Sequence, residues 1–253
     1  MSRLTDKVAL ITGSGRGMGR SHAELMAREG AKIIVHDMDP DLVHETSTRV
    51  RDAGGEAREI VCDITDVDQM SREIAEAQRV WGTVDILVNN AGIDTPGDLH
   101  EISEESFDRM FDVHVKGSFF TTRTVVSGMK QNGYGKIVNI SSIWGTVGHR
   151  SHSHYCGAKA ALLGLTKAWA KEFAPYNITV NAVAPGGVIT EMALEENNGM
   201  EGIRRRAERD IPLKRYAETI EISHTVLFLV SPESDFITGQ VISPNGGETI
   251  VGI

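Results

Sequence analysis

Three side chains near the middle of the chain have the types and the spacing that acid–base chemistry needs. Tyr155 and Lys159 stand four residues apart in a stretch rich in alanine and leucine, so a helix would place both on one face, about one turn apart. Ser142 follows the apolar run 137–140, which has the composition of a β-strand. A phenol, an ammonium group and a hydroxyl that meet where a strand gives way to a helix suit proton transfer to or from a carbonyl or alcohol oxygen.

A glycine-rich turn near the amino terminus is placed to hold an anion. The apolar run Val8–Thr12 is typical of a parallel strand buried on both faces, and it leads through Gly13, Gly17 and Gly19 into a helical stretch. Glycine lets the backbone approach a phosphate closely, and a helix N-terminus offers free N–H groups. The spacing G-x-x-x-G-x-G differs from the G-x-G-x-x-G dinucleotide fingerprint, so the motif alone is also compatible with a tight turn that binds nothing.

The next strand ends at an acidic residue that bears on the choice of cofactor. The strand predicted at 31–36 ends at Asp37, about 20 residues after the glycine turn, where a carboxylate can bind the adenosine ribose hydroxyls. Its charge would repel a 2′-phosphate and therefore favours NAD over NADP. Arg16, within the glycine turn, points the other way, because a cation there would attract that phosphate. The alternative for Asp37 is a cap of the helix that begins near Pro40.

Strand and helix patterns alternate along the whole chain and predict an α/β fold with a doubly wound parallel sheet. Ligands of such sheets bind at the carboxyl ends of the strands, where the glycine turn, Asp37 and Asp63 fall. The polar segment at about 187–212 is predicted to be a mobile substrate lid with a short helix. No linker divides the chain, so residues 1–253 are predicted to form one domain. Further strands are predicted at 59–62, 85–89, 137–140, 177–183 and 240–242, and long helices at about 107–131 and 153–174.

The composition narrows the class of protein. The net charge of −9 gives no electrostatic footprint for binding nucleic acid. The apolar runs are of strand length, so no transmembrane helix or signal peptide is expected and the protein is predicted to act without a membrane. Cys62 and Cys156 offer neither a disulfide framework nor metal-ligand spacing. A cytoplasmic protein without a metal site is the resulting expectation.

The motifs, taken in their order, resemble those of the short-chain dehydrogenase/reductase family in its compact single-domain branch. The likeness covers essentially the whole chain. It implies a Rossmann-type fold with a seven-stranded parallel sheet and helices on both faces, a nicotinamide dinucleotide cofactor, and interconversion of a secondary alcohol and a ketone. A homotetramer is expected from the resemblance alone. The matched motifs are Thr12-Gly13-x-x-x-Gly17-x-Gly19, Asp63, Asn89-Asn90-Ala91-Gly92, Ser142, Tyr155-x-x-x-Lys159 and Pro185-Gly186 with Thr190.

The resemblance also implies a role for each matched residue. Tyr155 is the general acid/base, Ser142 holds the substrate oxygen, and Lys159 binds the nicotinamide ribose. The Lys159 ammonium and the positive nicotinamide are expected to lower the pKa of Tyr155. The expected substrate contacts are Ser142, Trp144, Tyr155, Gly187 and Met192. The expected cofactor contacts are Gly13, Arg16, Gly17, Met18, Gly19, Asp37, Asp63, Ile64, Asn89, Ala91, Gly92, Tyr155, Lys159, Pro185, Gly186, Val188 and Thr190.

One position departs from the family pattern. In the segment 112–117 the family commonly has an asparagine, thought to kink the helix and to hold a water that links the lysine to solvent, and this chain has His114. Histidine donates and accepts protons near neutral pH, so His114 is a candidate fourth catalytic residue that relays protons. The alternative is that His114 only packs and that water alone carries the proton.

The favoured function is an NAD-dependent secondary-alcohol dehydrogenase with a small-molecule substrate. An NADPH-dependent ketoreductase of the 3-oxoacyl type is the alternative, which Arg16 favours and Asp37 opposes. A nucleotide-binding regulatory protein would have no need of the intact Ser142, Tyr155 and Lys159. The histidines and arginine at 149–154 are interpreted as a solvated loop or a subunit contact rather than as substrate contacts. The arginines at 204–206 are interpreted as a solvated helix face.

Overall fold

A parallel sheet of seven strands runs through residues 2–251, the part of the chain that this computed structural model describes. The strand order is β3-β2-β1-β4-β5-β6-β7, and every neighbouring pair is parallel. The order turns back between β1 and β4, so a crevice opens there at the carboxyl ends. The predicted doubly wound sheet is confirmed. The strands are β1 Val8–Thr12, β2 Lys32–Asp37, β3 Ala57–Val61, β4 Ile86–Asn89, β5 Gly135–Ile140, β6 Ile178–Val183 and β7 Val241–Ile242.

The helices that connect the strands cover both faces of the sheet. None of those within residues 2–251 combines the length and the apolar composition needed to cross a membrane. The helices are α1 Gly17–Arg28, α2 Pro40–Asp52, α3 Val67–Trp81, α4 Glu104–Phe111, α5 Ser118–Asn132, α6 Trp144–Val147, α7 Ser153–Phe173, α8 Glu191–Glu196, α9 Met200–Asp210 and α10 Thr219–Val230.

Two hydrophobic clusters, one on each face of the sheet, explain why the strands are apolar without alternation. In β1, Ala9 and Ile11 belong to the cluster that includes residues of α1 and α10. Val8 and Leu10, which point the other way, belong to the cluster with residues of α3, α5 and α7. Successive side chains of a strand face opposite sides, so a strand covered on both faces must be apolar at every position.

The structure differs from the sequence prediction in two places that matter for the site. The long helix predicted at 107–131 is α4 and α5 joined by a π-helical segment, Asp112–Gly117, and it begins earlier, at Glu104. The predicted lid contains two helices, α8 and α9, rather than one short helix, and Thr190 caps the first of them by accepting the N–H of Ala193. A π-helical turn takes one more residue than an α-helical turn, which periodicity over a short window does not reveal.

A chain of buried polar side chains joins the middle strands to the helices beneath the crevice. Asn89 Nδ2 donates to Asn139 Oδ1 at 2.8 Å and to Thr122 Oγ1 at 3.0 Å. Asn139 Nδ2 donates in turn to Thr166 Oγ1 at 2.8 Å. These bonds tie β4 and β5 to α5 and α7. Each of these side chains is buried, so the bonds fix the positions of the strands and helices rather than contact solvent.

A buried histidine makes the fold sensitive to acid. His22 on α1 is fully buried against α10, where its Nδ1 lies 2.7 Å from Ser223 Oγ. Burial lowers the pKa of His22 to about 3 from its ordinary 6.5. Between these two pH values His22 is protonated in the unfolded chain and neutral in the folded protein. The stability is therefore complete above pH 6.5 and is lost progressively as the pH falls towards 3.

We expect His22→Gln to weaken this pH dependence, because glutamine can still bond Ser223 and does not titrate. The free energy of unfolding of the native protein should fall more between pH 7 and pH 5 than that of the variant, by about 2 kcal/mol. Denaturant titrations at the two pH values measure the difference. His100→Gln, which replaces an exposed histidine, is the matched control. Equal slopes for the native protein and His22→Gln would contradict the assignment.

Candidate active site

A cavity of about 650 Å³ opens at the carboxyl ends of the strands, within the roughly 300–1,000 Å³ typical of ligand sites. It runs from the glycine turn and the end of β2 to the loop after β4 and the start of α8. Eleven of the predicted cofactor contacts line it, namely Gly13, Arg16, Gly17, Met18, Gly19, Asp37, Asp63, Ile64, Ala91, Gly92 and Thr190.

The glycine turn presents the free end of α1 to this cavity. No side chain caps the N-terminus of α1, and no acidic residue lies in its first turn, so its N–H groups and its dipole remain available to an anion. Gly17 has φ +57°, and a Cβ there would project towards Thr190 and Glu191 across the cavity. At Gly19 a Cβ would overlap the carbonyl oxygen of Gly13. The turn therefore fits a dinucleotide pyrophosphate, the group that the sequence implies.

Side chains on both sides hold the glycine turn in place. The carbonyl of Gly15 accepts from Arg20 Nη2 at 2.5 Å and from Thr46 Oγ1 at 3.0 Å. Arg20 is itself held by a two-pronged ion pair with Glu45, at 2.9 and 2.8 Å. These contacts join the turn to α2, so side chains of the protein hold the anion-binding turn in shape before any ligand arrives. Arg20 could not be identified from the sequence, because nothing in its spacing distinguishes it from other basic residues of a helix.

Asp37 lines the cavity at the end of β2. Its Oδ2 accepts the N–H of Gly15 at 3.1 Å and its Oδ1 accepts the N–H of Met38 at 2.8 Å. It does not cap α2, since that role belongs to Asp39, whose Oδ1 accepts from residues 41 and 42. Arg16 is exposed at the rim of the cavity and makes no ion pair within the described residues.

Two of the predicted cofactor contacts, Asn89 and Lys159, line neither this cavity nor a smaller one beside Ser142. The amide of Asn89 is buried in the bonds to Asn139 and Thr122, and Asn90 lies on the wall instead. Asn90 Nδ2 donates to the carbonyls of Thr12 and Gly13, both at 2.9 Å, and so braces the glycine turn.

Asp63 lies on the cavity wall as predicted. It forms an ion pair of 2.8 Å with Arg109. Burial alone would raise the pKa of Asp63, but hydrogen bonds from Thr65 and the charge of Arg109 outweigh burial and lower it. The carboxylate is therefore ionised at neutral pH and can act as a hydrogen-bond acceptor.

The structure brings Ser142, Tyr155 and Lys159 together at the end of β5. Lys159 is buried, and its Nζ donates to the carbonyl of Ile140 at 2.8 Å and lies 5.5 Å from the centre of the Tyr155 ring. An ammonium group has three protons, so two donors remain for other partners such as ribose hydroxyls. Ser142 Oγ accepts the N–H of Trp144 at 3.2 Å, which leaves its own proton free to donate to a substrate oxygen.

The pKa values of this group differ from the expectation. Burial raises the pKa of Tyr155, and the carboxylate of Asp94 adds to the rise, while the hydroxyl of Ser142 opposes it. Burial also lowers the pKa of Lys159 to about 7, against the pull of Asp94. The expectation that Lys159 lowers the pKa of Tyr155 is wrong for the protein by itself. A lysine that is only partly charged at neutral pH gives the phenolate little support.

His114 lies in the π-helical segment, edge-on to Tyr155, with 5.5 Å between ring centres. Its Nε2 lies 2.7 Å from the carbonyl oxygen and 3.2 Å from the amide nitrogen of Ile93, and the shorter contact favours a proton on Nε2. Its Nδ1 is buried without a partner within residues 2–251. Burial lowers its pKa well below 6.5, and the charge of Lys159 lowers it further. A Cβ at Gly92 would overlap the ring, so His114 and the loop after β4 fit closely.

A second cavity, of about 120 Å³, lies beside Ser142 and Tyr155 and shares Met18, Thr190 and Met192 with the first. All five predicted substrate contacts line it, as do six of the predicted cofactor contacts, Met18, Tyr155, Pro185, Gly186, Val188 and Thr190. Three charged residues on its wall were not singled out from the sequence: Asp94, Glu196 and Glu248. Asp94 lies two residues after the Asn89–Gly92 motif, and this closeness is the one signal that would have found it.

The interpretation of the nearby histidines and arginines as solvated surface is wrong for three of them. His152 and His154 are 5% and 3% exposed, because the start of α7 turns them inward. Arg206 points from α9 into the small cavity, with its guanidinium 5.3 Å over the Trp144 ring and Nη1 3.2 Å from Glu196 Oε1. The remaining histidine and three arginines are exposed, namely His149, Arg150, Arg204 and Arg205.

Known proteins share this sequence and this fold. A family model described as Enoyl-(Acyl carrier protein) reductase matches residues 13–249. The 3-oxoacyl-(acyl-carrier-protein) reductase of Thermotoga maritima is 39% identical over 98% of this chain and 100% of its own. The cyclopentanol dehydrogenase of Comamonas sp. is 38% identical over 98% of this chain and 99% of its own.

Two further relatives complete the comparison. The trans-4-hydroxycyclohexanecarboxylate dehydrogenase of Sinomonas cyclohexanicum is 39% identical over 98% of this chain and 94% of its own. The crystal structure of a putative gluconate dehydrogenase from Agrobacterium tumefaciens superposes with a TM-score of 0.93 at 33% identity, over 98% of each chain. With matches of this extent, the chain belongs to the short-chain dehydrogenase/reductase family and is an oxidoreductase of that type.

Proposed function

We propose that the protein is an NAD(H)-dependent dehydrogenase that interconverts a small secondary alcohol and its ketone. The observation that supports this most directly is that Ser142 and Tyr155 line a small cavity that shares part of its wall with the dinucleotide-sized cavity. The buried Lys159 supports them from the interior, with its Nζ 5.5 Å from the centre of the Tyr155 ring. A substrate in the small cavity would meet the hydroxyls of Ser142 and Tyr155 on one side and the cofactor on the other.

The roles of the protein groups follow from their hydrogen bonds. When bound, the nicotinamide supplies the hydride acceptor or donor, and in its oxidised form a positive charge that favours the phenolate. Ser142 has its proton free and donates to the substrate oxygen. Tyr155 takes the alcohol proton in oxidation and returns it in reduction. Lys159 orients the ribose with the two protons that Ile140 does not use.

Two observations favour NAD and a small alcohol over the 3-oxoacyl-type reduction with NADPH. Asp37 puts a carboxylate where a 2′-phosphate would sit, and like charges there disfavour NADP. The substrate cavity of about 120 Å³ is far smaller than the roughly 300–1,000 Å³ of sites for larger ligands, which suits a short or cyclic alcohol better than an acyl chain. The alternative is supported by the relative from Thermotoga maritima and by Arg16 at the cavity rim.

A homotetramer and a cytoplasmic location are part of the proposal. Phe107 on α4 and Phe119 on α5 are 45% and 40% exposed, as expected of helices that pack against another subunit. Cys62 and Cys156 are unpaired, which fits a reducing compartment.

We expect Tyr155→Phe to remove most of the activity while leaving the cofactor site intact. In a screen of secondary alcohols with NAD, kcat should fall by about 10²–10⁴-fold, because phenylalanine keeps the ring and loses the proton carrier. NADH binding, followed by fluorescence, should change less than about threefold. A variant as active as the native protein would exclude Tyr155 as the acid/base.

We expect Asp37→Ala to shift the cofactor preference towards NADP. Removal of the carboxylate ends the repulsion of a 2′-phosphate and removes an acceptor for the ribose hydroxyls of NAD. The ratio of kcat/KM for NAD to that for NADP should fall by at least about tenfold. Asp41→Ala, on the exposed first turn of α2, is the control and should keep the native ratio. If the native protein already prefers NADP, the alternative function gains instead.

We also propose that His114 passes protons between Lys159 and solvent. Its buried, unpartnered Nδ1 is an acceptor in a place where buried polar atoms normally have a partner, and an ordered water would satisfy it. Its low pKa keeps the ring neutral, with a donor at Nε2 and an acceptor at Nδ1. A neutral ring of this kind relays a proton by exchange at its two nitrogens rather than by accumulating charge.

The relay predicts different results for two substitutions of His114. His114→Ala should lower kcat by about tenfold and move the acid limb of its pH profile, because the acceptor is lost. His114→Asn restores an acceptor and should stay within about threefold of the native kcat. Steady-state rates at several pH values distinguish the two. An unchanged kcat and pH profile in His114→Ala would reduce His114 to a packing residue.

A further inference from the structure

One oxygen of a buried carboxylate in the small cavity lacks a hydrogen-bond partner. Asp94 lies in the loop after β4, lines the cavity beside Ser142 and Tyr155, and has a side chain that is only 9% exposed. Its Oδ1 has no partner within residues 2–251. A buried carboxylate oxygen without a donor is costly, so a group that donates to it would be strongly favoured there.

The other oxygen of Asp94 is engaged by His152. His152 Nδ1 lies 3.0 Å from the carbonyl of Arg150 and donates to it, and Nε2 faces Asp94 Oδ2 at 3.4 Å. Burial alone would lower the pKa of His152, but Asp94 and the Arg150 carbonyl outweigh burial and raise it. The imidazole of His152 therefore faces one oxygen of Asp94, and Oδ1 has no donor within residues 2–251.

The remaining charged groups of the cavity also favour an uncharged ligand that donates hydrogen bonds. Arg206 is paired with Glu196, and Glu248, whose Oε2 accepts the N–H of Gly187 at 3.4 Å, has no paired cation within the described residues. Burial raises the pKa of Glu248, while the charge of Arg206 opposes the rise. With both ion pairs neutral overall, the wall offers several acceptors and no unpaired cation. A carboxylate or phosphate ligand would meet repulsion there, whereas hydroxyl groups would find acceptors.

We propose that the substrate carries a second hydroxyl next to the carbinol that reacts, and that Asp94 selects it by accepting a hydrogen bond from that hydroxyl. The substrate class is a small vicinal diol or short polyol, cyclic or open. This inference rests on the proposed dehydrogenase function and adds the specificity-determining contact. A monoalcohol would leave the carboxylate oxygen unpaired, and sites built around a polar partner reject ligands that lack it.

Paired substrates test the proposal. We compare kcat/KM for the NAD-coupled oxidation of two pairs of substrates: cyclohexanol with vicinal cyclohexanediol, and sec-butanol with the vicinal butanediol that carries both hydroxyls on its inner carbons. The proteins compared are the native protein, Asp94→Ala, Asp94→Asn and Asp68→Ala. Asp68 lies exposed on α3, outside both cavities, and serves as the matched control. The native protein and Asp68→Ala should prefer each diol by about tenfold or more. Asp94→Ala should lower that preference by about tenfold, and Asp94→Asn, which keeps an uncharged acceptor, should lie between.

Each result bears on the idea. Equal rates for diols and monoalcohols in the native protein would overturn it, as would a diol preference that survives in Asp94→Ala. A preference for a hydroxycyclohexanecarboxylate that depends on Arg206, tested with Arg206→Lys, would assign the cavity to anions instead. NADH titration checks that each variant keeps its cofactor site. Turnover of no alcohol by a native protein that binds NADH would overturn the dehydrogenase function together with this inference, whereas turnover of monoalcohols alone would overturn only the latter.

Discussion

The catalytic end of the molecule depends on an ammonium group held in the interior. Lys159 is 4% exposed, and within residues 2–251 its Nζ has one hydrogen-bond partner, the carbonyl at the end of β5. A charge removed from water in this way is stabilised only by groups that face it. Its main chain is fixed as well, since Ser141 Oγ donates to the Lys159 carbonyl at 2.8 Å. The helix that carries the phenol is thereby attached to the sheet edge at two levels.

In this arrangement the charges that proton transfer needs are not supplied by the protein alone. Burial disfavours the charged form of both Lys159 and Tyr155, so the protein alone disfavours a phenolate beside an ammonium group. The proposed proton transfer needs that pair of charges. In the proposed mechanism, therefore, the charge that favours the phenolate arrives with the bound cofactor, and Tyr155 is a weak base until then. Such a dependence would couple chemistry to occupancy of the site.

The fold could be predicted from the sequence because each strand is an apolar run and each crossover is closed by glycine, proline or a capping residue. Ser142, Tyr155 and the glycine turn could be placed because parallel strands bring their carboxyl ends to one edge. The position of Asn89 could not, since adjacent residues of a strand end face opposite ways and only packing decides which one lines the cleft. Nor could Arg206 or Glu248, which reach the cavity from distant segments through the fold of the lid and the C-terminal stretch. The rise in the pKa of Tyr155 in the protein without cofactor could not be predicted from the sequence, because burial depends on the whole surrounding structure.

The π-helical segment between α4 and α5 fixes the phase of everything that follows it. Each residue of an α-helix turns the next by about 100°, so one extra residue in a turn rotates the downstream helix relative to the upstream one. In this chain the offset lets His114 face the phenol while Thr122 still points at Asn89 beneath the sheet edge. Both contacts come from the continuous helical stretch formed by α4, the π-helical segment and α5. They form together only when the wide π-helical turn separates the two α-helices. Length changes within Asp112–Gly117 would therefore be felt at both places at once, which makes this stretch among the least tolerant of insertion or deletion along the connection.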